Sequence, residues 1–202
     1  LDLSKIEAGK YEINDYEYHL GTVILDVVSL FREKMKDSKV SLEYKADVGI
    51  PTILYGDVVR VKQILINIIG NAVKFTKEGF IRLSVSFEPV TNEKGRLIFK
   101  IQDSGIGIKE ENIGKLFEEY NQIDAGKNRT AQGTGLGLTI CKRLCELMHG
   151  SIKVESVYGE GTTFTATLVQ QVLDWTPMSI TETEKSYKNK KYNIYKPVRK
   201  EN

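Results

Sequence analysis

Cysteine, histidine, proline and tryptophan are all scarce in this sequence, with two, two, four and one copies. Cys141 and Cys145 stand four apart in one helical pattern, where a disulfide is geometrically awkward. A disulfide-stapled scaffold is therefore excluded, and free thiols in a reducing compartment are expected. No apolar run approaches the length that spans a bilayer, and no signal-peptide pattern opens the chain. Charge of one sign is lacking too. Lys and Arg total 29 against 27 Asp and Glu, a net charge of +2, so composition gives no case for nucleic acid or a membrane surface as partner. Neither familiar nucleotide loop is present: there is no GxxxxGK[ST] string, and "GTGLG" has the wrong spacing for a dinucleotide fingerprint.

What is present is ordinary for a folded globular protein, 41% hydrophobic and 28% charged over 202 residues. That length fits one compact domain with appendages, or at most two small ones. "LDLSKIEA" at the start reads as the last turns of a helix stopped by Gly9, so a piece of a longer protein is expected. "YEINDYEYHL" alternates like a strand. Val23, Ile24, Val27, Val28, Phe31 and Met35 then recur at helical spacing from Gly21 to about Ser38. "VSLEYKA" (40–46) alternates as a strand, and Pro51 and Gly56 punctuate an expected loop.

The strongest helix pattern runs from Asp57, a good N-cap, to Phe75. "FIRLSVSFE" (80–88) and "RLIFKIQD" (96–103) flank the turn-prone "TNEKG" and predict an antiparallel hairpin. A short helix is expected over roughly 110–120, a long polar mobile loop over 121–134, and a helix from Gly135 to Met148. Strands "SIKVESV" and "GTTFTATLV" follow, and beyond Gln171 the Lys- and Tyr-rich composition reads as linker or tail. Mixed helices and antiparallel strands in this order predict helices on one face of one sheet.

Inside the 57–75 helix, Arg60, Gln63, Asn67, Asn71 and Lys74 fall on one narrow face, opposite a broad apolar one. Gly70 sits beside that column. A solvated outer face is one reading. The other is a ligand site, because exposed helix faces favour Lys, Glu and Gln over Asn, and neutral amide oxygens beside a cation suit a hard divalent ion and phosphate.

Two glycine clusters add to this. "DSGIGI" (103–108) ends a strand, and "GTGLGL" (133–138) opens a helix, where unpaired N–H groups and the dipole favour an anion. Either cluster alone is explained by a turn. Asp103, shielded at a strand end, either initiates a turn or accepts a hydrogen bond from an exocyclic amino group.

Together these residues resemble the catalytic and ATP-binding domain of sensor histidine kinases, across about residues 1–170. "NIIGNAVKFT" resembles the family's N box, "DSGIGI" its first glycine box and "KLFEEYNQID" its phenylalanine-containing box. "GTGLGLTI" is similar to the second glycine box and "GEGTTF" to the final glycine–threonine motif. The resemblance implies an α+β, two-layer α/β sandwich (the Bergerat ATP-binding fold), with a mixed, mostly antiparallel sheet, helices on one face and a flexible ATP lid. It divides the chain into the end of the second helix of a dimerisation and phosphoacceptor hairpin (1–9), the catalytic domain (10–170) and a linker or tail (171–202).

It also implies roles. Asn71 coordinates Mg²⁺ on the ATP phosphates, Asn67 assists the metal or phosphate, and Lys74 contacts phosphate. Asp103 accepts from the adenine amino group, with Gly105 in the same turn, and Gly107 and Ile108 line the base. Lys127 and Arg129 are lid cations, and Gly133, Thr134, Gly135, Leu136, Gly137 and Leu138 present the phosphate-binding loop. Thr163 stands near adenine. Hydrolytic relatives carry a glutamate where Asn67 stands; an amide is no base, which favours holding ATP for another nucleophile over hydrolysing it. That nucleophile is a histidine of the hairpin, and neither His19 nor His149 occupies its place. Gln122, where several relatives carry arginine, resembles the hybrid kinases. The implied setting is a cytoplasmic domain of a membrane-anchored sensor in bacterial two-component signalling. Its partners are ATP or ADP, its own hairpin in a homodimer, and a response regulator or attached receiver domain, with no nucleic acid. A Bergerat-fold ATPase and a non-catalytic nucleotide-binding or dimerisation module remain alternatives.

Overall fold

A computed structural model describes residues 12–118 and 135–189, apart from the side chains of residues 182 and 186–189. Its strands are β1 (Tyr16–His19), β2 (Lys39–Ala46), β3 (Pro51–Gly56), β4 (Glu78–Pro89), β5 (Lys94–Asp103), β6 (Ser151–Val157) and β7 (Gly161–Pro177). The helices are α1 (Leu20–Lys34), α2 (Val58–Phe75), α3 (Glu110–Ile113), α4 (Gly137–Leu147) and α5 (Ile180–Asn189). One sheet takes the order β1-β3-β7-β5-β4-β2, with β6 also on β7. Only β2–β4 is parallel among these pairs; the others are antiparallel. The mixed, mostly antiparallel α+β sheet is as the motifs imply.

Side-chain alternation gives this sheet one covered face. On β7, Thr162, Phe164, Ala166, Leu168, Gln170 and Val172 are buried, while Thr163, Thr165, Thr167, Val169 and Gln171 are only half-buried. The buried set joins Leu83, Val85, Leu97, Phe99 and Ile101 against α1, α2 and α4 in one core. Helix α2 is the core's axis. Val58, Val61, Ile64, Leu65, Ile68, Ile69 and Ala72 are its buried stripe. Asp57 caps it as predicted, one carboxylate oxygen accepting from Arg60 N–H at 3.1 Å and the other from Asn14 N–H at 3.0 Å.

Three expectations need correction. Residues 51–56 are not a loop but β3, and the chain beyond Gln171 is not a bare linker: β7 continues to Pro177 and α5 follows. These two misreadings have one cause. β3 pairs with the far half of β7 (Leu54 with Val172, Tyr55 with Gln171), so each becomes a strand only in the other's presence. Helix α5 then lies beside the start of α1, where Gly21 leaves room for Thr183 and Met178. Third, the helix expected over 110–120 is only Glu110–Ile113, continued by turns. Among the described residues, no helix is long and apolar enough to cross a membrane.

Candidate functional site

The C-terminal half of α2 touches both glycine segments. At its end, Phe75 C=O accepts from Ile106 N–H at 3.2 Å, which seats the "DSGIGI" turn. One face away, Asn67 donates through Nδ2 to Gly137 C=O at 3.3 Å, which ties α2 to the first residue of α4. Asn71 stands between these two contacts along the helix. The amide pair, the aspartate turn and the glycine-opened helix therefore converge on one region.

Asp103 is 7% exposed at the end of β5. Its Oδ1 accepts from Gly105 N–H at 2.9 Å. Burial pushes its carboxyl above the ordinary carboxylate range. The N–H groups of Gly105 and Thr162 and the Thr76 hydroxyl pull it down, and burial wins. Thr76 is 5% exposed, and its hydroxyl lies close enough to favour the charged carboxylate without a well-directed hydrogen bond. The turn is packed tightly. A Cβ on Gly105 would sit 2.6 Å from Phe75 C=O, and one on Gly107 would sit 2.1 Å from Val157 C=O. Gly107 also has φ of +66°, in the left-handed region. Ile108 is half-buried, and its N–H donates to Ser156 Oγ at 2.8 Å.

At the other end the chain is less self-satisfied. Asn71 is half-buried and makes no side-chain hydrogen bond among the described residues. Lys74 is exposed, its Nζ 5.1 Å from the Phe75 ring centre. Arg60 and Gln63, higher in the column, bond each other at 2.7 Å. Helix α4 begins two residues later than expected, after Gly135 (φ +70°) and Leu136, and no side chain among the described residues caps it. Its first N–H groups are thus left to other acceptors. Leu136 and Leu138 are half-buried, Leu138 packing on the core. A Cβ on Gly137 would come no closer than 3.8 Å to any described atom, that atom being Asn67 Cγ. Behind Asn67, the buried thiol of Cys141 lies 3.8 Å from Ile64 C=O. Burial pushes the Cys141 and Cys145 thiols up to about 12, so both are unreactive free cysteines.

Thr163 is misplaced by one residue. It pairs with Gln102 and Glu155 on the open sheet face, whereas Thr162 pairs with Asp103 and is buried beside it. A one-residue step in a strand reverses the face, so the neighbour of the aspartate is Thr162. The signal was in the sequence: Phe164, Ala166 and Leu168 mark the buried parity, which Thr162 shares. Ser156, which bonds Thr162, carried no comparable signal. Lys127, Arg129, Gly133, Thr134 and the lid expected over 121–134 lie outside the described residues.

Residues 56–172, more than half of the chain, match the family described as "Histidine kinase-, DNA gyrase B-, and HSP90-like ATPase". The chain belongs to this ATPase family. Among the curated relatives of this ATPase-family chain, the Hybrid signal transduction histidine kinase B of Dictyostelium discoideum is 42% identical over 168 residues, covering 83% of this chain and 8% of that protein. The Sensor protein GacS of Pseudomonas syringae pv. syringae is 38% identical over 164 residues, covering 81% of this chain and 18% of that protein. The chain thus spans less than a fifth of either relative, and with a eukaryote among them a bacterial setting does not follow. Among solved structures, full-length ShkA in complex with AMPPNP superimposes with a TM-score of 0.72 at 26% identity, over 85% of this chain and 34% of that one.

Proposed function

We propose that the chain is the ATP-binding catalytic domain of a sensor histidine kinase, which delivers the ATP γ-phosphoryl to a histidine on a helical hairpin upstream in the full protein. The convergence of Asn71, Asp103 and the uncapped start of α4 around the C-terminal half of α2 carries this reading. The residues fit the groups they are assigned. Two amide oxygens suit a hard cation, and the Asn71 amide, unpartnered among the described residues, is the better placed. Lys74, exposed near the end of the column, supplies a cation for phosphate, and the α4 N-terminus with Gly137 lets phosphate oxygens approach backbone N–H groups. Asp103 accepts from the base amino group. Mg²⁺, held by Asn71 with help from Asn67, would neutralise phosphate charge, and the protein's share of catalysis is positioning.

An amide at Asn67 cannot remove a proton from water, which argues against the ATPase reading. The relay partners in the full protein are a second copy through the hairpin and a receiver aspartate, attached or separate. Calorimetry with ATP, with and without Mg²⁺, tests the site. Mixing with the upstream hairpin and labelled ATP tests the reaction: acid-labile, base-stable label on the hairpin is expected. Steady hydrolysis by the chain alone would favour the ATPase, and acid-stable label would remove the kinase reading.

A further inference from the structure

Asp103 of β5, Thr162 of β7 and Ser156 of β6 form one row across three adjacent strands. Ser156 Oγ lies 2.8 Å from Ile108 N, 2.8 Å from Gly161 O and 3.0 Å from Thr162 Oγ1. A hydroxyl has one hydrogen to give and two lone pairs. The Ile108 N–H can only donate, so it occupies one lone pair. The Gly161 carbonyl can only accept, so it takes the Ser156 hydrogen; otherwise two lone-pair oxygens would face each other at 2.8 Å. One lone pair is left for Thr162, whose hydroxyl must therefore donate to Ser156. Its own lone pairs are then what it offers elsewhere.

We infer that Ser156 is a specificity-determining positioning residue: by holding the Thr162 hydroxyl as a donor to itself, it leaves Thr162 to present acceptor lone pairs beside the Asp103 carboxylate at the base end of the pocket. Such a lining selects a purine whose six-position donates, an amine, against one whose six-position accepts, a carbonyl. A buried acceptor facing a carbonyl is left unpaired, which is how a hydrogen-bonding site rejects a near-isostere. The same hydroxyl anchors Ile108 at the end of the glycine turn, so the base-lining loop and the polarity of the pocket share one atom.

This inference rests on the ATP-site reading, and the test separates the two. Binding of ATP and of inosine triphosphate, whose base has a carbonyl in place of the six-position amine and a hydrogen on N1, is measured by calorimetry with the 202-residue chain and its Ser156→Ala variant. Ser156→Ala frees the Thr162 hydroxyl to donate, and the ATP preference is expected to narrow by about 2- to 10-fold. A merely structural serine would weaken both nucleotides alike and leave the ratio unchanged, and that result overturns the inference. If Ser156→Ala does not fold, Thr162→Val removes the hydroxyl that Ser156 orients and must also narrow the ratio; an unchanged ratio there is equally fatal. Absence of ATP binding by the unmodified chain would instead sink the site reading itself.

Discussion

The two glycine-rich segments look alike in sequence, yet Gly107 in one and Gly137 in the other are opposites in the fold. In "DSGIGI" the protein itself demands the glycines: a Cβ on Gly105 or Gly107 would meet backbone oxygens at 2.6 and 2.1 Å, and Gly107 needs a positive φ. In "GTGLGL", Gly137 has no described neighbour within 3.8 Å of where a Cβ would stand. Gly70, beside the asparagine column, has only Phe31 Cζ at 3.9 Å. A glycine forced by internal packing says nothing about a ligand. A glycine that packing among the described residues does not require, at a helix start that none of their side chains caps and that faces an amide, points to something that approaches from outside. The base end is thus built as a rigid hydrogen-bonded clasp, the phosphate end as an open set of donors and ligands.

Gly107→Ala should cost the fold most. The left-handed backbone costs about 1–2 kcal/mol for an alanine, and the overlap with Val157 C=O adds to it. A loss of about 2 kcal/mol or more in urea denaturation is expected, with nucleotide binding lost alongside. An unshifted midpoint would mean the turn tolerates a side chain and that the contrast is false.

Asp103→Asn comes next and separates stability from binding. ATP affinity should fall about 10- to 100-fold, the worth of a charge-assisted acceptor. Stability should go the other way. The folded carboxyl sits above its ordinary range, so the ionised form carries a penalty that is complete above the folded value, fades as the pH falls from there toward the unfolded value, and is gone below it. The variant should therefore match or exceed the parent in urea near pH 7 and lose that advantage in acid. A variant clearly less stable at neutral pH would show that the donors around Asp103, not its burial, dominate.

How far the sequence carried this picture differs along the same line. Asp57 as cap, the α2 stripe and the hairpin of β4 and β5 were legible because each depends on neighbours a few residues away. β3 and the far half of β7 were not, since their pairing joins residues more than a hundred positions apart and neither alternates clearly alone. In the site, Asn67, Asn71 and Asp103 stood out because amides in a helix and a carboxylate at a strand end contradict local preference. Thr162 was legible in principle through strand parity. Ser156 was not: a serine in a strand is unremarkable until its three partners are seen.

At the open end, effects on stability should be small and effects on ligand larger. Asn71→Ala removes an amide that bonds nothing among the described residues, so the urea midpoint should hold or rise slightly, alanine being the better helix former. ATP affinity should lose most of its response to Mg²⁺, by about tenfold if one charge-assisted contact is removed. A midpoint that falls would make Asn71 a structural residue.

The mildest substitutions are the most diagnostic of the contrast. Gly70→Ala fills helix interior with 3.9 Å clear to Phe31 Cζ and should stabilise by about 0.5–1 kcal/mol, since glycine there costs backbone entropy for no packing return. Gly137→Ala, at the first position of α4, should change the midpoint by only a few tenths of a kcal/mol. Because its new methyl would stand where backbone N–H groups open toward an anion, it should nonetheless weaken ATP several-fold while leaving adenosine, which lacks phosphates, unaffected. Equal weakening of both would relocate the effect to the base clasp and erase the distinction between the two segments.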